Sequence, residues 1–507
     1  MPGLPAGGLA RGPAVSAQPP TVRWGPDLVL EISDAAGAGL ATLRFAVPGT
    51  PVAEWEPDDE EIALLRAEGL LSRVRMVREP GSVSVSLTVD NTSDAPVELP
   101  FLGFAVSVEP GWSGWTWGTE LEGFVVVAST RGPGACVLVR LKRGFLRPVA
   151  QDTCFVAEAS GSLLEPAPAD RSAFLLSPPG ALLGAHRRHE VLLDISIVDD
   201  LDAVAASLPP WLPETIAQVG DDITVALPDE AIVGGDGVSV SVVDTVSVVT
   251  LRSPGHRELV IHGPRGSRVL PLDAAPPLED VVADLVGQLL TRRPQRLGEA
   301  AGFVVADALA RRLAPDPERA FDWLDAVDWL DRDTLLGDAT AGLAASLQGE
   351  TLQVQATWNL LGRRAVTPGY GLVVMRLWLA SLAASGTPPP EALALLSRPA
   401  ADEASALELS LLGYRGADVA TGGVQGLIAL LGGTLPGRPI GLSASRAAVA
   451  ASVLRLCPES WEVSALAALT AAKTERLLLA DYAGCAEDGA AMVGLDGLAW
   501  LLMGHLD

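Results

Sequence analysis

The chain has 507 residues, of which 49% are hydrophobic and 19% charged, and its mean hydropathy is +0.31. That much apolar material supplies a sizeable core and rules out global disorder, which goes with apolar-poor sequences. Asp and Glu outnumber Lys and Arg by 62 to 36, a net charge of −26, so nucleic-acid phosphate is excluded as a principal ligand, since binding it rests on basic side chains.

Both halves of the chain are acidic, which gives the excess the character of a solubility device rather than of a tail. Lys142 and Lys473 are the two lysines and the other basic residues are arginine. The four cysteines, Cys136, Cys154, Cys457 and Cys485, form no CxxC pair and are too sparse for a disulfide framework. Cys136 and Cys154 are the one pair that neighbouring strands would bring together, against a base expectation of buried free thiols.

Residues 1–20 are rich in Pro and Gly and lack the basic segment and apolar core of a signal peptide, so the expectation is a disordered tail on a cytoplasmic protein. No run reaches the 18 or so apolar residues of a membrane span; Tyr370 to Ala384 comes nearest and carries Arg376. No membrane association is expected.

From Thr21 to Asp200 the pattern is that of strands: short runs rich in Val, Leu and Phe at 28–32, 41–47, 83–89 and 136–141, separated by Gly, Pro, Asn and Asp. Ser82 to Val89 alternates with period two and breaks at Asp90–Pro96 before a second run, which predicts a hairpin of the kind common in immunoglobulin-like sandwiches. The acidic stretch Asp58–Glu61 ahead of Ile62–Arg66 predicts a helix. Leu201 to Pro213 reads as a short helix that ends at a double proline. A second β-rich segment follows, with runs at 238–251 and 258–262.

After Asp273–Pro277 the period changes to that of helices. About a dozen are predicted: 278–291, 297–313, 317–330, 334–348, 352–361, 370–384, 390–396, 402–412, 426–431, 443–456, 462–480 and 489–505. The fold class expected is therefore multidomain, β then α. An N-terminal antiparallel β-sandwich (21–213) is followed by a small β domain or extension of the sandwich (214–272). An all-α domain of paired short helices (273–507), a solenoid or a compact α/α toroid, completes the chain. At the level of architecture this order is similar to some carbohydrate-active enzymes with an α/α toroid, a resemblance that spans the chain and attaches to no residue.

Short catalytic signatures are missing: there is no GxxxxGK[ST], GxSxG or HExxH, and no kinase motif. The most unusual tract is Gly111–Glu120, GWSGWTWGTE. In an extended chain Trp115 and Trp117 share one face and Trp112 takes the other. With Glu120 they are candidates for a sugar-stacking site, set against the commoner fate of large aromatics in a core. Asp322, Asp325, Asp328 and Asp331 recur every third residue and make a candidate acidic cluster for a cation or for paired acids, or else a solvated face.

His186 and His189 point opposite ways in a strand and do not chelate together. His256 and His262, six apart, share a face of an unbroken strand, where a catalytic or pH-sensitive histidine competes with a structural one. Arg363 and Arg364 sit in a helix–helix loop, positioned for an anion or for the dipole of the preceding helix. Thr421–Gly426 opens a helix without the preceding strand that a dinucleotide fold requires. The expectation these features support is a non-catalytic binding or scaffold protein for a protein or carbohydrate ligand, without cofactor. The alternative is a carbohydrate-active enzyme, of glycoside hydrolase or lyase type, with an acidic site between the β and α parts.

Overall fold

The computed structural model describes residues 21–34, 37–132, 134–148, 173–227, 231–243, 246–264, 266–385, 391–400, 403–412, 417–487 and 494–506. The 1–20 tail and Cys154 lie outside the described residues.

Two antiparallel sheets pack face to face in the first part of the chain, one of six strands and one of nine. Their apolar inner faces, Leu30, Ile32, Leu43, Phe45, Phe104 and Phe174 from one and Val74, Val85, Leu87, Val125, Val139 and Ile195 from the other, make one core. Period-two alternation explains it: in Ser82–Asn91 every second side chain, Val83 through Asn91, is buried. That strand, however, does not turn into a hairpin with the run after it. It is an interior strand, paired with Leu70–Glu79 on one side and Arg188–Val198 on the other. Asn91 sets the break by accepting from the Ser93 amide and donating to the carbonyls of Ala95, Leu183 and Gly184.

The helix expected over 58–66 is also a strand, Glu61–Ala67. Asp58 accepts from the amides of Glu60 and Glu61 in a local turn, and the following residues take their hydrogen bonds from Leu70–Glu79. An Asp that looks like a helix cap serves equally well in a turn, and the ladder decides.

Three strands of the larger sheet, Trp112–Gly118, Gly123–Ser129 and Cys136–Arg143, are buried on both faces. Val125, Val127 and Val137 face the sandwich core; Trp115, Trp117, Phe124, Val126, Ala128, Cys136 and Leu138 face a second core. That second core runs on without a break through the smaller β region and the helices. Strands buried on both faces read as continuous apolar runs, which is how FVVVA and CVLV appear.

The region from Ile216 to Ala275 forms a four-stranded and a three-stranded sheet. Beyond it stand twelve helices among the described residues, from Leu278–Leu289 to Leu495–Gly504. Asp316, Thr334 and Ser443 each cap a helix start by accepting from the amide three residues on. The final helix packs back against Glu299–Arg311, Tyr370–Ser385 and Ala444–Arg455, so the helices close on themselves. No helix among the described residues is long and apolar enough to cross a membrane.

One element was not foreseen. Arg438–Ile440, from the helical half, adds a strand to the edge of the nine-stranded sheet beside Trp112–Gly118. Gly437 permits the approach: its φ is +93°, and a Cβ there would come within 2.0 Å of the Thr116 carbonyl oxygen.

Candidate active site at the junction of sheets and helices

The added strand, the Gly255–Gly263 and Gly266–Ala275 hairpin and the Ser464–Glu487 helix meet at one place. His256 and Asp273 are directly opposite each other in the hairpin ladder. Gly255, at φ +96°, brings the hairpin against the backbone of Gly484 in the helix. The His256 ring is thereby set between two carboxylates, with Nδ1 at 2.6 Å from Asp273 and Nε2 at 2.9 Å from Asp481. Arg438 contacts both acids and the ring, at 3.1 Å to Asp481. Burial disfavours the charged imidazole, yet its hydrogen bonds to Asp273 and Asp481 overcome both that and the nearby Arg438, and its pKa rises to about 9. At neutral pH both ring nitrogens carry protons and donate.

Two residues along the same strand, Glu258 continues this polar face and is half exposed. Arg147 bridges it to Glu120, with its guanidinium nitrogens 3.6 Å from Glu258 and 3.3 Å from Glu120. Glu120 stands in the turn between Trp112–Gly118 and Gly123–Ser129 at φ +71° and pairs in a single bridge with Leu146. Burial raises its pKa and Glu258 adds to the rise, while Arg147 opposes. Glu122 in the same turn faces Arg268, which is buried and lies 4.3 Å over the Trp211 ring. A seam of ionisable groups thus runs along the contact between the sandwich, the small sheet and the helices. Its outer end, at Glu120, Arg147 and Glu258, is open to solvent, and its inner end, at Asp273 and Asp481, is buried. Among the described residues no group of three or more His, Cys, Asp or Glu is arranged to hold a metal ion.

Of the residues singled out in the sequence, Glu120 and His256 belong to this seam. The tryptophans offer no stacking platform. Trp115 and Trp117 are each 3% exposed, in the core between sheet and helices, and half-buried Trp112 packs on the sandwich core. A sheet covered on both faces leaves indoles no open side. Trp115 donates from Nε1 to the Pro436 carbonyl at 2.8 Å, whereas Trp117 Nε1 is buried without a partner.

Asp322, Asp325, Asp328 and Asp331 are all exposed and do not form a cluster. The helix ends at Asp325, Asp325 accepts from Gln348, and Asp328 accepts from the Leu330 amide in the following turn. Their three-residue spacing therefore spans a helix end rather than one face. Arg364 forks onto buried Asp338 at 2.7 and 2.9 Å and also reaches Asp333, so its charge is met within the chain. His186 pairs with Asp94, His189 with the Leu176 carbonyl, and exposed His262 with Ser267. Thr421–Gly426 lies inside the helix Ala417–Leu430 rather than at its start. Cys136 is a buried free thiol, its pKa pushed up to about 12 by burial.

Arg147, Glu258, Asp273, Arg438 and Asp481 carry no sequence signal of their own. The usable sign was a histidine in an alternating strand whose ladder partner is an Asp.

No protein-family model matches the chain, and no curated protein matches it. Among solved structures, a family GH92 alpha-mannosidase from Bacteroides thetaiotaomicron in complex with mannoimidazole aligns over 95% of this chain and 77% of that chain at 10% identity. Its TM-score of 0.20 is too low to carry an argument. A polysaccharide lyase matches with a TM-score of 0.62 over 92% of this chain and 92% of that chain, at 11% identity. The expectation of a non-catalytic binding or scaffold protein is overturned by this second likeness. That expectation rested on missing short motifs, and at 11% identity a shared architecture does not require shared motifs. What the likeness shows is the fold: antiparallel β-sheets followed by a helical domain, as in the polysaccharide lyase.

Proposed function

We propose that the protein is a carbohydrate-active enzyme that cleaves glycosidic linkages at the seam between its sheets and helices. The observation that carries this reading is the end-to-end likeness of the fold to a polysaccharide lyase. The seam supplies the chemistry. Cleavage of a glycosidic bond requires a proton for the departing oxygen and a base or nucleophile nearby. Glu120, whose pKa is raised by burial and by Glu258, is suited to hold and deliver that proton. Glu258, more exposed and across Arg147, is suited to act as the base. His256, clamped between Asp273 and Asp481, is protonated in the working pH range and serves as a fixed cation beside them rather than as a base.

The test is incubation of the full chain with a panel of neutral and uronate-containing polysaccharides. New reducing ends and the ultraviolet absorbance of unsaturated products are read separately, so that hydrolysis and elimination are told apart. Product release from at least one polymer is expected, with Glu120→Gln slowing it by about 100-fold, as removal of a general acid does. A blank result across the panel, or a Glu120→Gln variant with unchanged kcat, overturns the proposal.

A further inference from the structure

A pocket of about 640 Å³ lies between the segment that follows the Leu201–Ala206 helix, the Thr434–Pro436 loop and the Ser464–Glu487 helix. Leu208, Pro210, Leu212, Leu435, Pro436 and Leu469 supply its apolar wall, and Glu214, Thr215 and Thr434 add polar groups. Leu469 stands at the surface, 60% exposed. Lys473, one helical turn on, also lines the pocket and is half-buried. Nζ donates to the carbonyls of Leu431 and Leu435, both at 3.1 Å, which follow the end of the helix Ala417–Leu430. It also sits 4.3 Å from the centre of the Trp115 ring.

All three of these partners are neutral. Among the described residues no carboxylate lies within 4.0 Å of Lys473. Glu214, the acid on the pocket wall, is exposed and held at 2.9 Å by Arg476. Buried charges are ordinarily paired, because carbonyl dipoles and an indole face offset desolvation without neutralising the charge. The Lys473 charge is thus offset by dipoles alone, and an acid group in the pocket would supply its first formal counter-charge.

We propose that this pocket binds a small monocarboxylate with an apolar body, its carboxylate on Lys473 and its body against the proline and leucine walls. Arg476 is already taken up by Glu214, so the cation left to the pocket is Lys473 alone, which matches a single negative charge rather than a phosphate. Leucines, prolines and alanines make up most of the lining, with Thr215 and Thr434 the two hydroxyls, which matches a hydrocarbon or aryl body better than a sugar. The volume lies within the range of sites that enclose small organic ligands. The inference is independent of the glycan-cleaving seam.

The experiment is calorimetric titration of the full chain with 3-phenylpropionate and octanoate, and with 3-phenylpropanol and octanol, which keep the body and lack the charge. The carboxylates are expected to bind, and the alcohols at least tenfold more weakly. Lys473→Met should lose that preference. Leu469→Glu, at an exposed position that leaves Lys473 in place, should weaken the carboxylates at least tenfold through repulsion at the pocket mouth. Absence of carboxylate binding at millimolar concentration, equal binding of acids and alcohols, or undiminished binding to Leu469→Glu each overturns the proposal.

Discussion

Two half-buried basic side chains, one packed on the long helix Ser464–Glu487 and one carried by it, have surroundings with opposite effects on them. His256 meets Asp481 from that helix and Asp273 from its own hairpin, and its pKa climbs to about 9. Lys473, eight residues before Asp481 on the helix, meets carbonyls and an indole, and burial brings its pKa down to about 7. Desolvation works against the charge in both cases. The difference is the presence of carboxylates, which convert a buried cation from a cost into a tie between three elements. The comparison separates a preassembled ionic site from a pocket that lacks a counter-charge.

The largest effect is expected from removing the carboxylate that anchors the first region. Asp273→Ala removes one of the two carboxylates that His256 and Arg438 share, and loss of one partner from a buried charge network costs about 3–5 kcal/mol. Urea unfolding measures it. A loss below 1 kcal/mol means that the seam is solvated enough to behave as a surface pair, and the contrast with Lys473 collapses.

The next effect is the pH dependence, where the two cations oppose each other. The folded pKa of His256 is raised, so its contribution is fully present below about pH 6.5 and is lost as pH rises through about 9. The full swing is on the order of 3 kcal/mol. The folded pKa of Lys473 is lowered, so protonating it penalises the folded state below about pH 7, and that penalty is relieved as pH rises toward its ordinary value of 10.5. Between pH 7 and 9 the two slopes offset each other in the native chain. Lys473→Met removes one of them, and its urea midpoint should fall steadily over that window while the native midpoint stays nearly level. Parallel profiles for the two proteins would show that Lys473 does not titrate there.

A smaller effect tests the neutral partners of Lys473. Trp115→Phe deletes the hydrogen bond to the Pro436 carbonyl and weakens the ring under the ammonium. Together these are worth about 1–2 kcal/mol. Trp117→Phe deletes no hydrogen bond, because Trp117 Nε1 has none, and should cost less than Trp115→Phe in the same unfolding assay.

The same contrast explains what could be read in the sequence. The helices were legible because their burial is periodic: in Leu278–Leu289, the residues Val281, Val282, Leu285, Val286 and Leu289 are buried as the spacing requires. The strand Arg438–Ile440 was not, since three residues have no period and its conformation comes from docking beside Trp115. The site followed the same rule. His256 could be noticed, and the hairpin sets Asp273 opposite it, but Arg438 lies 182 residues away and only the tertiary fold brings it there. Conversely, the tryptophan tract was conspicuous because it is buried on both faces, so its prominence marked packing rather than a ligand platform.

The smallest effects are expected where the sequence pattern was most regular. Asp322, Asp325, Asp328 and Asp331 stand in water, and their charges are screened rather than held by a buried cation. Asp322→Asn and Asp331→Asn should each shift stability by no more than about 0.5 kcal/mol, as surface changes do. Asp325→Asn loses at most an exposed bond to Gln348, and falls in the same range. None should alter polysaccharide cleavage. A variant of this series that reduces cleavage as much as Glu120→Gln would move the active site from the seam to the helical face. The distinction drawn between ionised groups that are buried and partnered and those that are merely abundant would then not hold for this fold.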